Sequence, residues 1–207
     1  MFEECLLRPG DLDLTEMTAC FDEIWMARAA CHGSIVDVPI TPMIQAEASN
    51  FAFQVVEVKL REAHHEFDSG SEHKRWFTGF VADRAVRLAW GLHDVPSHLT
   101  EIGSNSSLFE FPDLRDLGVK AGVKSSSWGF FPLVKPNEST PQVIVLISEK
   151  CDTAHVVGVA VPWMFGKFTS RNFVKSSRVK TKSAFYGIDA VEQFPSSLAE
   201  ARARFPL

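Results

Sequence analysis

The chain has 207 residues and a formal net charge of −5, with 45% hydrophobic and 23% charged residues. These proportions are typical of a globular protein and exclude a disordered polyelectrolyte. No apolar run reaches the roughly 18 residues that a membrane-spanning helix needs, and the acidic start Met1–Cys5 is unlike a secretory signal. The four cysteines form no C-x-x-C pair, which favours free thiols in a reducing compartment. We therefore expect one domain over 1–207, in the cytoplasm and without a membrane partner.

The N-terminal part, residues 1–70, is predicted to be mostly helical. A helix begins at Asp13, which can cap it, and Glu16 completes a capping-box arrangement. Residues 35–41 are predicted to be a short extended piece. Apolar residues then recur at helical spacing from 42 to 67, which favours a second helix, although the β-branched run within it is also compatible with a strand.

After a predicted loop at 68–71, residues 75–90 have the clearest amphipathic helical pattern in the chain. A connecting loop follows, and beyond residue 107 the apolar period changes to 2, which indicates strands. Five short strands and a final helix are predicted at Leu108–Leu114, Val119–Ser125, Phe131–Val134, Val143–Ser148, His155–Val161 and Ser196–Arg204. Helices followed by a strand-rich half predict an α+β fold, in which N-terminal helices precede a mixed β-sheet core with flanking helices.

The stretch from Phe111 to Ser126 contains the candidate chemistry. It reads as a strand, a turn and a returning strand. Because side chains alternate along a strand, positions 122 and 124 share one face. A phosphodiesterase needs carboxylates to hold a divalent metal and a cation near the attacking water. A carboxylate, one residue and then a lysine on one strand face would be a compact arrangement for this reaction.

Pro112-Asp113, followed after eight residues by Gly122-Val123-Lys124, resembles the motif of the PD-(D/E)XK nuclease superfamily. The resemblance covers residues 75–165 as a nuclease-like core, and residues 187–207 resemble the tail of phage-encoded relatives. Residues 166–207 then form a basic segment and the C-terminal helix. The resemblance implies a restriction-endonuclease-like fold and a DNA nuclease of a phage or mobile element that depends on Mg²⁺ or Mn²⁺.

By this resemblance, Asp116 or Asp113 holds the metal, Lys124 assists the attacking water, and Asp83 contributes from the preceding helix. We favour Asp116 over Asp113 because it lies nearer the turn. The sequence departs from the motif at Gly122, where the family has Asp or Glu. Two functions follow. The chain is a nuclease in which another residue supplies the missing carboxylate, or it is an inactive binding protein that acts on DNA or on a host defence protein.

Two observations offer other interpretations of these residues. Asp83 lies four residues before Arg87, so an exposed ion pair on one helix explains both without catalysis. Glu57-Val58-Lys59 is a second carboxylate-x-lysine, preceded by Asp37, and it would form the site if residues 53–60 were a strand.

Charge is distributed unevenly along the chain. Residues 1–110 carry 8 Lys/Arg against 18 Asp/Glu, whereas residues 111–207 carry 13 against 8. The basic segment, Lys167–Lys182, has no acidic residue and interleaves phenylalanines with its cations. Cations with flanking aromatic rings suit phosphate contact and base stacking, although an exposed charged loop is the alternative. The predicted DNA-binding residues are Lys167, Arg171, Lys175, Arg178, Lys180 and Lys182.

Overall fold

The computed structural model describes residues 35–60, 69–95, 113–128, 132–134, 138–165, 170–171, 186–188 and 191–207. The predictions for the helix that begins at Asp13, for residues 96–112 and for most of the basic segment lie outside these ranges. The described strands are β1 (Val36–Pro39), β2 (Gly122–Ser127), β3 (Leu133–Val134), β4 (Gln142–Ile147), β5 (Thr153–Ala160), β6 (Ser170–Arg171) and β7 (Tyr186–Gly187). The described helices are α1 (Pro42–Leu60), α2 (Ser69–Ala89), α3 (Pro162–Phe165) and α4 (Leu198–Arg204).

A four-stranded mixed sheet in the order β1-β5-β4-β2 lies at the centre of the fold. Strands β2 and β4 are parallel, and β5 is antiparallel to both β4 and β1. The predicted α+β class, with a mixed sheet and flanking helices, is therefore confirmed. The short extended piece predicted at residues 35–41 contains β1, an edge strand of this sheet in which Asp37 pairs with His155.

The central sheet is covered on both faces, and every residue of β4 is buried. The first core cluster packs α1 and α2 against the face that carries Val143, Val145 and Ile147. The second core cluster, on the opposite face, contains Ile144 and Leu146 together with Val134, Phe165 and Ile188. A separate small sheet in the order β3-β7-β6 adjoins this second cluster, so β3 is not part of the predicted single sheet.

Helix α1 confirms the helical interpretation of its β-branched run. The hydroxyl of Thr41 accepts the N–H of Ile44 at 3.3 Å, and Pro42 occupies the first helical position, where its missing N–H costs nothing. Val55 and Val56 are buried in the helix, so a strand over residues 53–60 is wrong. Packing against α2 outweighs the β preference of these side chains.

Helix α2 begins earlier than predicted, because Ser69 is already helical and the loop assigned to 68–71 is wrong over its described part. Glu72 lies in the first turn, where a carboxylate interacts favourably with the helix dipole. The apolar side of α2 packs on β2, β4 and β5. In the described parts of the chain, no helix is both long and apolar enough to cross a membrane.

The segment before β2 turns instead of extending. Asp113 and Leu114 form a turn, residues 115–117 form a 3₁₀ helix, and Gly118 adopts a left-handed φ of 74°. The described end of the predicted strand Leu108–Leu114 is therefore wrong. Leu114 is fully buried although it is not in a strand. This buried leucine explains why the apolar pattern of the segment predicted a strand. The following strand begins at Gly122 instead of Val119.

An irregularity interrupts the pairing of β4 with β5. Ile144 pairs with Gly158 and Val145 with Val156, so Val157 is an extra residue on β5. Such a bulge reverses the alternation of side chains on the strand that contains it. Ala154 and Val156 before the extra residue, and Val159 and Val161 after it, consequently all join the first core cluster.

Candidate functional site

The carboxylates of Asp83 and Asp116 meet at the side chain of Arg87, and we call these three residues the Arg87 cluster. The Arg87 Nε donates to Asp83 Oδ1 at 2.5 Å. Its two terminal nitrogens donate to the two carboxylate oxygens of Asp116, each at 2.9 Å. The two carboxylates therefore take up both edges of the guanidinium fork, a geometry that lysine cannot reproduce.

Two of the three side chains in the Arg87 cluster are buried, and this burial affects the charge of Arg87. The side chains of Arg87 and Asp83 are 3% and 5% exposed, whereas that of Asp116 is 42% exposed. Burial lowers the pKa of Arg87, but hydrogen bonds and charge attraction from Asp116 and Asp83 outweigh this effect and raise its pKa above the ordinary value. Arg87 is thus a permanent internal cation between the carboxylates.

Asp113 lies beside the cluster and has a structural role of its own. Its Oδ2 accepts the backbone N–H of Val123 at 2.5 Å, and its carbonyl oxygen is 3.4 Å from an Nη atom of Arg87. The N–H of Leu114 also donates to the carbonyl of Ala121 at 3.2 Å. The Asp113 carboxylate thus ties the turn to the beginning of β2.

Lys124 extends from the other side of the sheet. Val123 packs in the first core cluster, with α2, whereas Lys124 pairs in register with Ile144 of the second cluster. Because neighbouring strand residues point to opposite faces, Lys124 points away from the side on which Asp83 and Arg87 lie. The structure therefore brings Asp83, Asp113 and Asp116 together, but it does not bring Lys124 to them.

Gly122 shares a face with Lys124, as the sequence predicted, and its backbone is not left-handed. The space above it is filled by Gln142, whose Oε1 lies closer to the position of an added Cβ than van der Waals contact permits. Gln142 is 3% exposed, and its Nε2 donates to the carbonyl of Thr140. Position 122 is therefore covered by an amide and is not an open place for a carboxylate.

These residues do not fit a magnesium ion as they are arranged. Mg²⁺ requires octahedral oxygen ligands, usually one or two carboxylates with water and phosphate. Here two of the three nearby carboxylates bind Arg87, and the third accepts a backbone N–H. A dication placed among them would also be repelled by the buried guanidinium. Within the described ranges, no group of three His, Cys, Asp or Glu side chains has the arrangement of a metal site.

The alternative site does not form either. Glu57 is an exposed residue of α1, and Asp37 instead pairs with His155, with 2.7 Å between Oδ1 and Nδ1. Of the predicted DNA-binding residues, the structure describes Arg171 alone, which lies on β6 opposite Tyr186 of β7. The other members, Lys167, Lys175, Arg178, Lys180 and Lys182, lie outside the described residues.

The central residue that the sequence interpretation undervalued is Arg87. Its spacing from Asp83 predicts the ion pair between them, and this pair is present. The pair was expected to be exposed, but it is buried and extends to Asp116. A usable signal was the arginine within the apolar pattern of α2, next to Val86 and Leu88.

No protein-family model, curated protein or solved structure matches this chain. Function is therefore inferred from three features of the molecule. These are the Arg87 cluster, the position of Lys124 on the opposite face, and the charge distribution of the second half of the chain.

Proposed function

We propose that this chain is a DNA-binding protein on a PD-(D/E)XK-like, restriction-endonuclease-like scaffold and that it does not cleave DNA. The order of elements supports the scaffold, since α2 precedes a mixed sheet and packs against it. Asp113 precedes β2, and the triplet Gly122-Val123-Lys124 begins it, in the order of the nuclease motif. A phage or mobile-element origin is part of the same proposal.

The single observation that carries the absence of cleavage is the pairing of Arg87 with Asp83 and Asp116. A nuclease of this class needs metal-held carboxylates to lower the pKa of the attacking water. In this chain an arginine neutralises those carboxylates from within the core. Arg87 cannot lose its proton at accessible pH, because its pKa is raised by the same two partners.

The charge pattern supports DNA as the partner. No Asp or Glu occurs between Asp152 and Asp189, and the basic segment lies within this stretch. The pairing of β6 with β7 places Arg171 opposite Tyr186 in the small sheet. Concentrated positive charge of this kind attracts a polyanion and releases its counterions.

The test measures DNA binding and DNA cleavage on the same protein. We expect binding with a steep salt dependence and no cleavage with Mg²⁺ or Mn²⁺. The variant Arg171→Glu/Lys175→Glu/Arg178→Glu should bind weakly, and the slope of log K against log salt should fall by about 0.9 for each phosphate that the protein no longer neutralises. A matched control is Lys74→Glu/Lys120→Glu/Lys150→Glu, which reverses three exposed charges elsewhere and should bind like the wild type.

The outcomes separate the competing functions. Metal-dependent cleavage that is lost in both Asp116→Asn and Lys124→Ala would show an active nuclease and overturn the proposal. Equal binding by the two triple variants would remove the basic segment as the contact. If the wild type binds no DNA at low salt, the remaining alternative is a protein partner such as a host defence factor.

A further inference from the structure

The side of α1 that faces away from the core is exposed and carries little charge. Its opposite side is fixed by the buried residues Ile44, Phe51 and Val55, so the outward side presents a defined surface. Five exposed, uncharged side chains share this surface, which we call the outer face of α1: Met43, Ala46, Asn50, Phe53 and Gln54. The exposed face of a helix ordinarily carries charged and polar residues. The outer face of α1 therefore differs from a surface adapted only to water.

Two side chains of the outer face are large and apolar. Met43 is 65% exposed and Phe53 is 61% exposed. The Phe53 ring contacts the His73 ring of α2 on one side, with 4.4 Å between the centroids. Glu47 is the one charged residue of the sequence between Pro42 and Val56, and it is half-buried. An exposed apolar surface without charges is typical of the centre of a protein interface, where charged residues are depleted.

The spacing of residues along the outer face is the same when it is read in either direction. Met43, Ala46, Asn50 and Phe53 follow one another at intervals of three, four and three residues. If two such helices pack antiparallel about a twofold axis, Met43 of each copy faces Phe53 of the other. A thioether against an aromatic ring is a favourable contact, and Ala46 is small enough to allow close approach between the helices. The face is thus complementary to itself, as the twofold interface of two identical chains requires.

The charge of Glu57 favours the antiparallel orientation. Glu57 is exposed four residues after Phe53, on the same side of the helix. In a parallel pair the two Glu57 carboxylates would lie side by side and repel each other. In an antiparallel pair each carboxylate lies near the N-terminal end of the other α1, whose first turn contains no acidic residue. The helix dipole stabilises a carboxylate at that end.

We propose that the outer face of α1 is a dimer interface, occupied by the same face of a second copy of this chain in antiparallel orientation. An uncharged contact surface also limits the repulsion between two chains that each have a net charge of −5. The face is only about 15 Å long, at 1.5 Å for each helical residue. It buries less area than a permanent dimer needs, so we expect a dimer that dissociates on dilution. The inference does not depend on the proposed DNA-binding function.

The experiment measures the oligomeric state of the full chain by sedimentation velocity, at concentrations from about 1 μM to about 1 mM. The dimeric fraction of the wild type should increase with concentration. Met43→Glu and Phe53→Lys should each raise the dissociation constant about tenfold or more, because each places a charge against an apolar side chain at both ends of the interface. Both positions are exposed, so neither substitution should disturb the fold of the monomer.

A mixture of these two variants tests the pairing itself. In a mixed dimer the introduced carboxylate faces the introduced ammonium group at one end, and the native Met43 faces the native Phe53 at the other. The mixture should therefore form a dimer at concentrations at which neither variant does so alone. Leu207→Glu is the matched control, because Leu207 is 65% exposed, like Met43, but lies beyond α4. This variant should dimerise like the wild type.

Three results would overturn the inference. The first is a wild type that stays monomeric over the whole concentration range. In that case a lower free energy of unfolding for Phe53→Lys in urea would show that the chain itself covers the face. The second is dimerisation that both variants retain, which would place the interface elsewhere. The third is a mixture that remains monomeric, which would contradict the antiparallel contact between Met43 and Phe53.

Discussion

The guanidinium of Arg87 and the carboxylate of Asp116 form a bidentate ion pair, with both contacts at 2.9 Å, although the two residues are 29 positions apart in the sequence. One partner is 3% exposed and the other 42% exposed, so the pair joins the core to the surface. It also joins α2 to the turn that precedes β2. Asp83 holds the same guanidinium from within the helix. The position of the turn thus depends on a charge that is inaccessible to solvent.

The first prediction concerns the stability of this cluster. Arg87→Met leaves the buried Asp83 carboxylate without its cation, so it should lower the free energy of unfolding by about 3–5 kcal/mol. Arg84→Met is the matched control, because Arg84 is also buried but donates to the backbone carbonyls of His93 and Asp94. Its loss should cost about 1–3 kcal/mol. Urea denaturation measures both, and equal costs would contradict the role of the buried carboxylate.

The second prediction concerns divalent cations. The melting temperature of the wild type should not change on addition of EDTA, Mg²⁺ or Mn²⁺, because Arg87 already neutralises the carboxylates. In Arg87→Ala the vacated oxygens of Asp83 and Asp116 should bind a cation, so millimolar Mn²⁺ or Ca²⁺ should raise the melting temperature through mass action. Arg87→Ala/Asp116→Asn is the control and should lose that response. A wild type that Mg²⁺ stabilises would contradict this prediction.

The third prediction concerns the covered glycine of β2. A Cβ at position 122 would displace the Gln142 amide from its bond to Thr140, so Gly122→Ala should cost about 1 kcal/mol. In a Gln142→Ala background the obstacle is absent, and the same substitution should become neutral or stabilising, by up to about 1 kcal/mol. A double-mutant cycle by chemical denaturation measures the difference. Additive effects would show that Gln142 does not restrict this position.

The fourth prediction concerns pH and the start of α4. Hydrogen bonds from Ser196 and attraction to Arg204 lower the pKa of Glu200. Its contribution to stability is therefore complete above its unfolded value of about 4.3 and is lost as pH falls through the lower folded pKa. Glu200→Gln should remove that part of the acid dependence, which helicity and amide exchange of α4 can follow. Glu149→Gln, an exposed site outside the helix, is the control.

Helices α1, α2 and α4 and the two central strands were predictable because their signals are local, whereas the short helix α3 was not predicted. Apolar spacing identified α1 and α2, and continuous apolar runs identified β4 and β5. The place of β1 in the sheet was not predictable. Its four residues pair with β5 more than a hundred residues later, and no local pattern specifies such a partner. The turn at Leu114 was missed because a buried leucine completes an alternating apolar pattern whether its backbone is extended or turned.

The candidate site was predictable in composition but not in arrangement. The resemblance to the nuclease motif named Asp83, Asp113 and Asp116, and all three residues do contact Arg87. Two properties that decide their chemistry depend on tertiary structure. One is the burial of Arg87, and the other is that α2 covers the face of β2 opposite Lys124. Neither burial nor the covered face of a strand can be read from a motif.

The extra residue Val157 limits how the length of this protein can vary. Deleting it would restore regular alternation, but every residue of β5 on one side of the deletion would then exchange faces. Either the pair Ala154 and Val156 or the pair Val159 and Val161 would leave the cluster beneath the helices. Evolution can thus replace Val157 with another apolar residue more readily than it can remove it, and a one-residue gap in an alignment at this point would signal a different register.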